Sequence, residues 1–343
     1  MEARISETAS CDINRGSADT VCHAKTNIPD RGGDTAQNRI QDDRSDRAKP
    51  LFTGAATALI TPFQADGSVD YPALGALMER QIAGGIDALV LCGTTGESAA
   101  LTEEEHCEIL RYAARIIDGR VPLIAGCGSC VTEKAVALAK SACASGADGL
   151  LAVTPYYNKA TPAGIIRHFT AIADASAKPI LLYNVPSRTG VDIPLAVYRE
   201  LSKHPRIVGV KEASGNLSHV AQIAAAFADL PSFSLYSGCD ELTLPILSLG
   251  GRGVISVVSH LLPREAHLLC ERFFQGDTAG ARSIQLSLLP LIDALFSEVN
   301  PIPVKTACGL LGFCRSDMRL PLCAMEPDHL AALQKAMADA GIL

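Results

Sequence analysis

Ile207-Val208-Gly209-Val210-Lys211 decides the fold: a short, almost wholly apolar run that stops on a lysine. A strand covered on one face alternates apolar and polar residues. A run without alternation reads as a strand buried on both faces, the habit of parallel sheets wrapped by helices. Seven other runs have the same character: Ala55–Pro62, Asp87–Cys92, Pro122–Gly126, Gly149–Thr154, Pro179–Asn184, Phe233–Ser237 and Gly253–Val258. Helical patterns lie between them, among them Tyr71–Ala83, Thr102–Ile117, Thr132–Ser145 and Asn216–Ala228. Thr102 followed by Glu103, Glu104 and Glu105 carries the capping-box signature of a helix start. Strand–helix units repeated in this way predict an α/β fold, a closed (β/α)8 TIM barrel over residues 51–275. An open doubly wound sheet is the alternative. Against it, the first run leads into Thr61-Pro62-Phe63 and not a glycine-rich dinucleotide turn. Residues 276–343 read as helices, Asp277–Val299, Ile302–Leu311 and Pro327–Ala340 after Pro263–Gln275, and predict a small C-terminal helical appendage.

Residues 1–50 differ from the rest. They contain no Leu, Phe, Tyr or Trp and are rich in Asp, Arg, Ser and Gly. Such a segment cannot bury enough apolar surface to offset its ordering entropy, so a disordered N-terminal extension is expected, dispensable for catalysis. It has neither the apolar stretch of a secretion signal nor the acid-poor composition of a transit peptide. Over the whole chain 48% of residues are apolar and the net charge is −7, which suits a globular enzyme and argues against nucleic-acid partners. No apolar run approaches the roughly 20 residues of a membrane helix. The 12 cysteines form no disulfide framework, and a reduced, cytoplasmic setting is the simpler reading. Cys127 and Cys130 read as unrelated thiols. The eight histidines are scattered, with no zinc-binding spacing, so no metal is expected.

Barrel active sites sit at the carboxyl ends of the strands, so the polar residues there are the candidates. Lys211 would be partly desolvated, which disfavours its charged form; a neutral amine can attack a ketone and form an imine. An ion pair with Glu212, or a strand-end lysine reaching for solvent, is the bland alternative. Tyr183 ends the preceding run, within reach to move protons at the imine carbon; core packing is its alternative. The Gly93-Thr94-Thr95-Gly96-Glu97-Ser98 loop has backbone N–H groups and hydroxyls suited to a small carboxylate, or is only a tight turn. Arg188, in Pro186-Ser187-Arg188-Thr189-Gly190, could grip a carboxylate or make a surface salt bridge.

Taken together, Gly93–Ser98, Thr154-Pro155-Tyr156-Tyr157-Asn158, Tyr183–Gly190, Val210-Lys211-Glu212-Ala213 and Gly253-Val254-Ile255-Ser256 resemble the dihydrodipicolinate synthase family of pyruvate-dependent class I aldolases. The resemblance spans nearly all of Leu51–Leu343. It implies an imine between Lys211 and pyruvate, with Tyr183 as proton donor and acceptor. Thr94 and Tyr157 would complete a proton relay, Tyr157 reaching in from a neighbouring subunit of a homotetramer. It further implies that Thr95 and the backbone of Ile255 hold pyruvate, and that Arg188 receives the carboxylate of L-aspartate 4-semialdehyde. No cofactor is implied. A lyase acting on sialic acid or a keto-deoxy-sugar acid, or a keto-acid-binding barrel without activity, are the rival readings; the Ser-Arg-Thr-Gly loop favours the synthase. In lysine-regulated family members the effector lies near positions matching Ser98, Ala99, His106 and Tyr156. Where those members carry Asn and Glu, this chain has Cys130 and Lys134. The resemblance therefore implies weak or absent inhibition by lysine.

Overall fold

The computed structural model describes residues 49–343; the extension expected over 1–50 lies, but for its last two residues, outside the described residues. Eight strands form a closed parallel barrel in chain order: β1 (Gly54–Ala58), β2 (Ala88–Leu91), β3 (Leu123–Gly126), β4 (Gly149–Val153), β5 (Ile180–Asn184), β6 (Ile207–Glu212), β7 (Ser234–Ser237) and β8 (Gly253–Ser256). β8 closes the ring by pairing with β1, Ala56 opposite Ile255. The open-sheet alternative is thereby excluded. Around the barrel run α1 (Tyr71–Ala83), α2 (Glu103–Ile117), α3 (Thr132–Ala144), α4 (Pro162–Ala175), α5 (Pro186–Thr189), α6 (Leu195–Leu201), α7 (Leu217–Ala226), α8 (Thr243–Ser248) and α9 (Pro263–Phe274). Three more helices follow: α10 (Thr278–Leu295), α11 (Ile302–Leu310) and α12 (Pro327–Asp339). Among the described residues, no helix is long and apolar enough to cross a membrane.

The continuous apolar runs have two destinations. Ala56, Ala58, Ala88, Val90, Ile124, Leu151, Leu181 and Ile255 meet inside the barrel. Their chain neighbours Ala55, Leu89, Leu91, Leu123, Ala125, Leu150, Leu182 and Val254 face the helices. Each strand is thus apolar on both faces because both faces are covered. Phe52 enters just before β1 and stacks on Tyr236, with ring centroids 4.3 Å apart. The Tyr236 hydroxyl donates to the Phe52 carbonyl at 2.6 Å, which ties the entering chain to the barrel interior. The α2 capping box forms as read: the Thr102 hydroxyl accepts from Glu105 N–H, and the Glu105 carboxylate accepts from Thr102 N–H.

β2 and β4 stop one residue before the expected runs end, and β1 and β8 stop two or more residues short. β1 stops at Ala58, although Leu59 N–H still donates to the Val90 carbonyl at 2.9 Å. β8 stops at Ser256, because Val257 (ψ −42°) turns the chain into a single 3-10 turn at Val258–His260. Gly209, inside the Ile207–Lys211 run, allows a close strand approach: a Cβ there would lie 2.2 Å from the Ser234 carbonyl oxygen.

β5 and β6 are joined by an irregularity that matters for chemistry. Ile180 pairs with Ile207, but Leu181 pairs with Gly209, so Val208 is skipped. From there on the register sets Tyr183 opposite Lys211 and Asn184 opposite Glu212. A one-residue slip in a strand exchanges its faces. Without the skip, Tyr183 would oppose Val210, which faces the helices.

Candidate active site

The carboxyl ends of the strands converge, and Lys211 and Tyr183 lie at their centre. The Lys211 Nζ is 4.4 Å from the Tyr183 ring centroid. Both residues are buried. Gly238 leaves room for the lysine, since a Cβ there would come within 3.0 Å of Lys211 Cε. The alternative reading of Lys211, an ion pair with Glu212, fails on strand alternation. Glu212 leaves the other face of β6, where its carboxylate accepts from Asn184 Nδ2 at 2.9 Å, Ser214 N–H at 2.8 Å and the Tyr198 hydroxyl at 3.2 Å. Those donors satisfy a buried carboxylate without the lysine. Burial first, and the same contact with Glu212 after it, push the Tyr198 phenol well above its usual range.

The loop after β2 is held by unusual backbone. Glu97 adopts a left-handed conformation (φ 53°), and its side chain is buried where it meets Lys305 of α11 at 2.6 Å. Neither side chain is more than 1% exposed. Arg319 N–H also donates to Glu97, and Lys305 Nζ stands 3.9 Å above the Phe63 ring. Burial pulls the Lys305 amine down, and the Glu97 carboxylate opposes that shift. Within the loop, Glu97 N–H and Ser98 N–H are spent on the Thr94 and Gly93 carbonyls. The Thr61 hydroxyl holds the Gly96 carbonyl at 2.7 Å. Among the described residues, the N–H groups of Thr94, Thr95 and Gly96 meet no acceptor, so the anion-binding potential of the loop rests on them.

A cavity of about 390 Å³ opens above these groups, and Thr94, Tyr183, Arg188 and Asn300 are in its wall. Arg188 stands on the short helix α5, and its Nη2 donates to the Asn300 carbonyl at 2.9 Å. It pairs with no carboxylate among the described residues, so the salt-bridge reading does not hold. Thr95, Ile255 and Lys211 are buried and do not line the cavity; Tyr183 both lines the cavity and touches the lysine. Tyr157 is set apart. It is 93% exposed, on the loop after β4, with a positive φ of 74°. Among the described residues, no cluster of three or more His, Cys, Asp or Glu is placed to hold a metal.

Ser98, Ala99, His106, Lys134 and Tyr156 border the same cavity. His106 Nε2 bonds the Gly126 carbonyl at 2.7 Å, and burial lowers its proton affinity. Cys127 is buried, its thiol pushed up to about 12 by desolvation, and Cys130 is half-buried; both are free thiols.

Glu97, Asn300 and Lys305 received no role in the sequence reading. A lysine and an asparagine in the otherwise apolar Asn300-Pro301-Ile302-Pro303-Val304-Lys305 stretch were the available signal. Their partners lie more than 200 residues away in the chain, so spacing could not reveal them.

Comparison with known proteins agrees with this geometry. Residues 51–340 match the Dihydrodipicolinate synthetase family. The 4-hydroxy-tetrahydrodipicolinate synthase of Lachnoclostridium phytofermentans is 48% identical over 294 residues, covering 85% of this chain and 99% of the relative. That of Caldicellulosiruptor saccharolyticus is 49% identical over 293 residues, 85% of this chain and 98% of the relative. Among solved structures, dihydrodipicolinate synthase from Aquifex aeolicus superposes with a TM-score of 0.82 at 43% identity, covering 85% of this chain and 99% of that one. The enzyme from Cyanidioschyzon merolae with lysine bound gives 0.83 at 43% identity, covering 86% and 100%. With a lysine and a tyrosine in register at the mouth of a closed barrel, and these matches along nearly the whole described chain, the protein belongs to the dihydrodipicolinate synthetase family.

Proposed function

We propose that this protein is a Schiff-base lyase that condenses pyruvate with L-aspartate 4-semialdehyde to 4-hydroxy-tetrahydrodipicolinate, a step toward diaminopimelate and lysine. The register that sets Lys211 opposite Tyr183 carries the reading. The Lys211 amine attacks the pyruvate carbonyl carbon, and loss of water leaves an imine. Removal of a methyl proton gives the enamine, whose carbon attacks the aldehyde of the second substrate. The substrate's own amino group then displaces Lys211 and closes the ring. Tyr183 is the group placed to carry protons in these steps, since its ring lies against the lysine.

Thr94, in the cavity wall with Tyr183, continues the proton path, with Tyr157 of a neighbouring subunit as its far end. The exposure of Tyr157 supports that placement in a homotetramer, because an aromatic ring held out on strained backbone gains from a partner surface. Thr95 and the backbone of Ile255 hold pyruvate, and Arg188 takes the carboxylate of the semialdehyde. A cytoplasmic location belongs to the same reading.

The test is a coupled assay with pyruvate and aspartate semialdehyde, run beside cleavage of sialic acid. Turnover of the first pair alone is expected; sialic acid cleavage alone would overturn the proposal. Borohydride added with pyruvate should leave a reduced adduct on the Lys211 peptide, absent in Lys211→Ala. An adduct on another lysine would sink the mechanism.

A further inference from the structure

Asn300 sits at the turn between α10 and α11, 7% exposed, in the cavity wall. It joins two parts of the site at once. Its side-chain Nδ2 donates to Thr95 Oγ1 at 2.9 Å, and its backbone carbonyl accepts from Arg188 Nη2 at 2.9 Å. The amide is satisfied on one side only: its Oδ1 is enclosed and has no partner. Turning the amide over would leave buried N–H donors orphaned in its place, which folded proteins tolerate less well than an under-used carbonyl.

The Thr95 hydroxyl is the other half of the pair. Other buried threonines of the barrel donate their protons to protein acceptors: Thr57 to Gln81 at 2.7 Å, Thr61 to the Gly96 carbonyl at 2.7 Å, Thr154 to the Tyr183 carbonyl at 2.9 Å and Thr243 to the Asp240 carbonyl at 2.9 Å. Thr95 only accepts, from Asn300; among the described residues its own proton has no protein acceptor. A hydroxyl rotates to suit its partners, so what it offers a bound substrate is set by what already occupies its lone pairs. A carboxylate is acceptor-only and can use nothing but that proton.

We infer that Asn300 is a positioning residue for the keto-acid carboxylate: by donating to Thr95 it frees the Thr95 proton and turns that hydroxyl into a donor toward the substrate. The inference rests on the function proposed above and adds a residue to it. The role belongs to the side chain alone, since the carbonyl that holds Arg188 survives substitution.

Reversing the polarity of this one bond is the test. Asn300→Asp is nearly the same size but can only accept when ionised. It would draw the Thr95 proton to itself and set a negative charge beside the substrate carboxylate. Asn300→Ala leaves Thr95 free to donate, less well oriented. Half-saturation by pyruvate is measured in wild type and both variants, by borohydride trapping and in steady state, with melting curves to compare folding. The expected order is wild type, then Ala weakened about threefold, then Asp weakened about tenfold or more, as for loss of a charged hydrogen bond. KM for aspartate semialdehyde should move much less. Thr95→Val, which has no proton to give, should resemble Asp, and adding Asn300→Asp to it should bring little further loss from the hydrogen bond. If Asp stands closer to wild type than Ala does, Asn300 only fills space and the inference is overturned. It is equally overturned if neither variant changes pyruvate saturation, or if KM for both substrates shifts together. Absence of any pyruvate adduct in wild type is a different result, which removes the functional reading itself.

Discussion

His260 makes the stability of this barrel sensitive to acid. It lies in the 3-10 turn after β8, fully buried. Its Nε2 accepts from Ile60 N–H at 3.0 Å and its Nδ1 bonds the Val257 carbonyl at 2.8 Å, so both ring nitrogens are committed and the neutral Nδ1–H form is required. Protonating Nε2 would turn the acceptor of a buried N–H into a second donor aimed at it. Burial lowers this imidazole from 6.5 to about 4. The unfolded chain therefore takes up this proton first as pH falls. The stabilising contribution is complete above pH 6.5 and is lost progressively between 6.5 and about 4. Worked through, the loss is about 2.5 kcal/mol by pH ~4.5, or ~5–10 °C in Tm at about 2–4 °C per kcal/mol. His106 and His168, also lowered by burial, add to the acid sensitivity, so the measurement must isolate His260. His260→Gln does so: its amide oxygen can accept from Ile60 and its amide nitrogen can donate to Val257, with no titration. Melting wild type and His260→Gln at pH ~7.5 and ~4.5 should show a smaller fall in the variant, by roughly the amount above. Equal falls in the two proteins would refute the reasoning.

The remaining expectations concern the site and its support. Arg188→Ala should raise KM for aspartate semialdehyde or lower turnover while leaving pyruvate imine formation largely intact; loss of the imine would mean that the arginine shapes the loop. Lys305→Met or Glu97→Gln alone strands a buried charge and should destabilise by about 3–5 kcal/mol, whereas the double replacement should recover most of it; single variants within about 1 kcal/mol of wild type in denaturant unfolding would show the pair is effectively solvated. L-lysine, raised to several millimolar at saturating pyruvate, should inhibit weakly if at all. Exposed Lys134 borders the cavity, and at the position the resemblance matches to an effector-binding Glu its charge would oppose the effector's ammonium, while Cys130 would be a poor partner for a carboxylate. Half-inhibition below about a millimolar would contradict this, since losing one charged hydrogen bond alone weakens binding ~10–150-fold.

Much of the architecture was legible in the chain itself. Strands buried on both faces have to be apolar throughout, helices between them have to be amphipathic, and eight such units have few ways to cover every face. Lys211 stood out because a lysine ending an apolar run conflicts with its surroundings unless it has work to do, and the carboxyl ends of barrel strands are where such work gathers. Tyr183 and Arg188 followed from the same rule. What no local pattern contained was the pairing. The skipped Val208 decides that Tyr183 shares a face with Lys211 and that Glu212 does not, and a register shift is a property of two strands together. The support of the Gly93–Ser98 loop was equally hidden. Glu97 finds Lys305, and Thr95 finds Asn300, only after the C-terminal helices fold back across the barrel mouth. Periodicity records which face of an element is buried. Which buried polar groups then meet depends on the closed three-dimensional path of the chain, and for this protein that path was decided only in the tertiary structure.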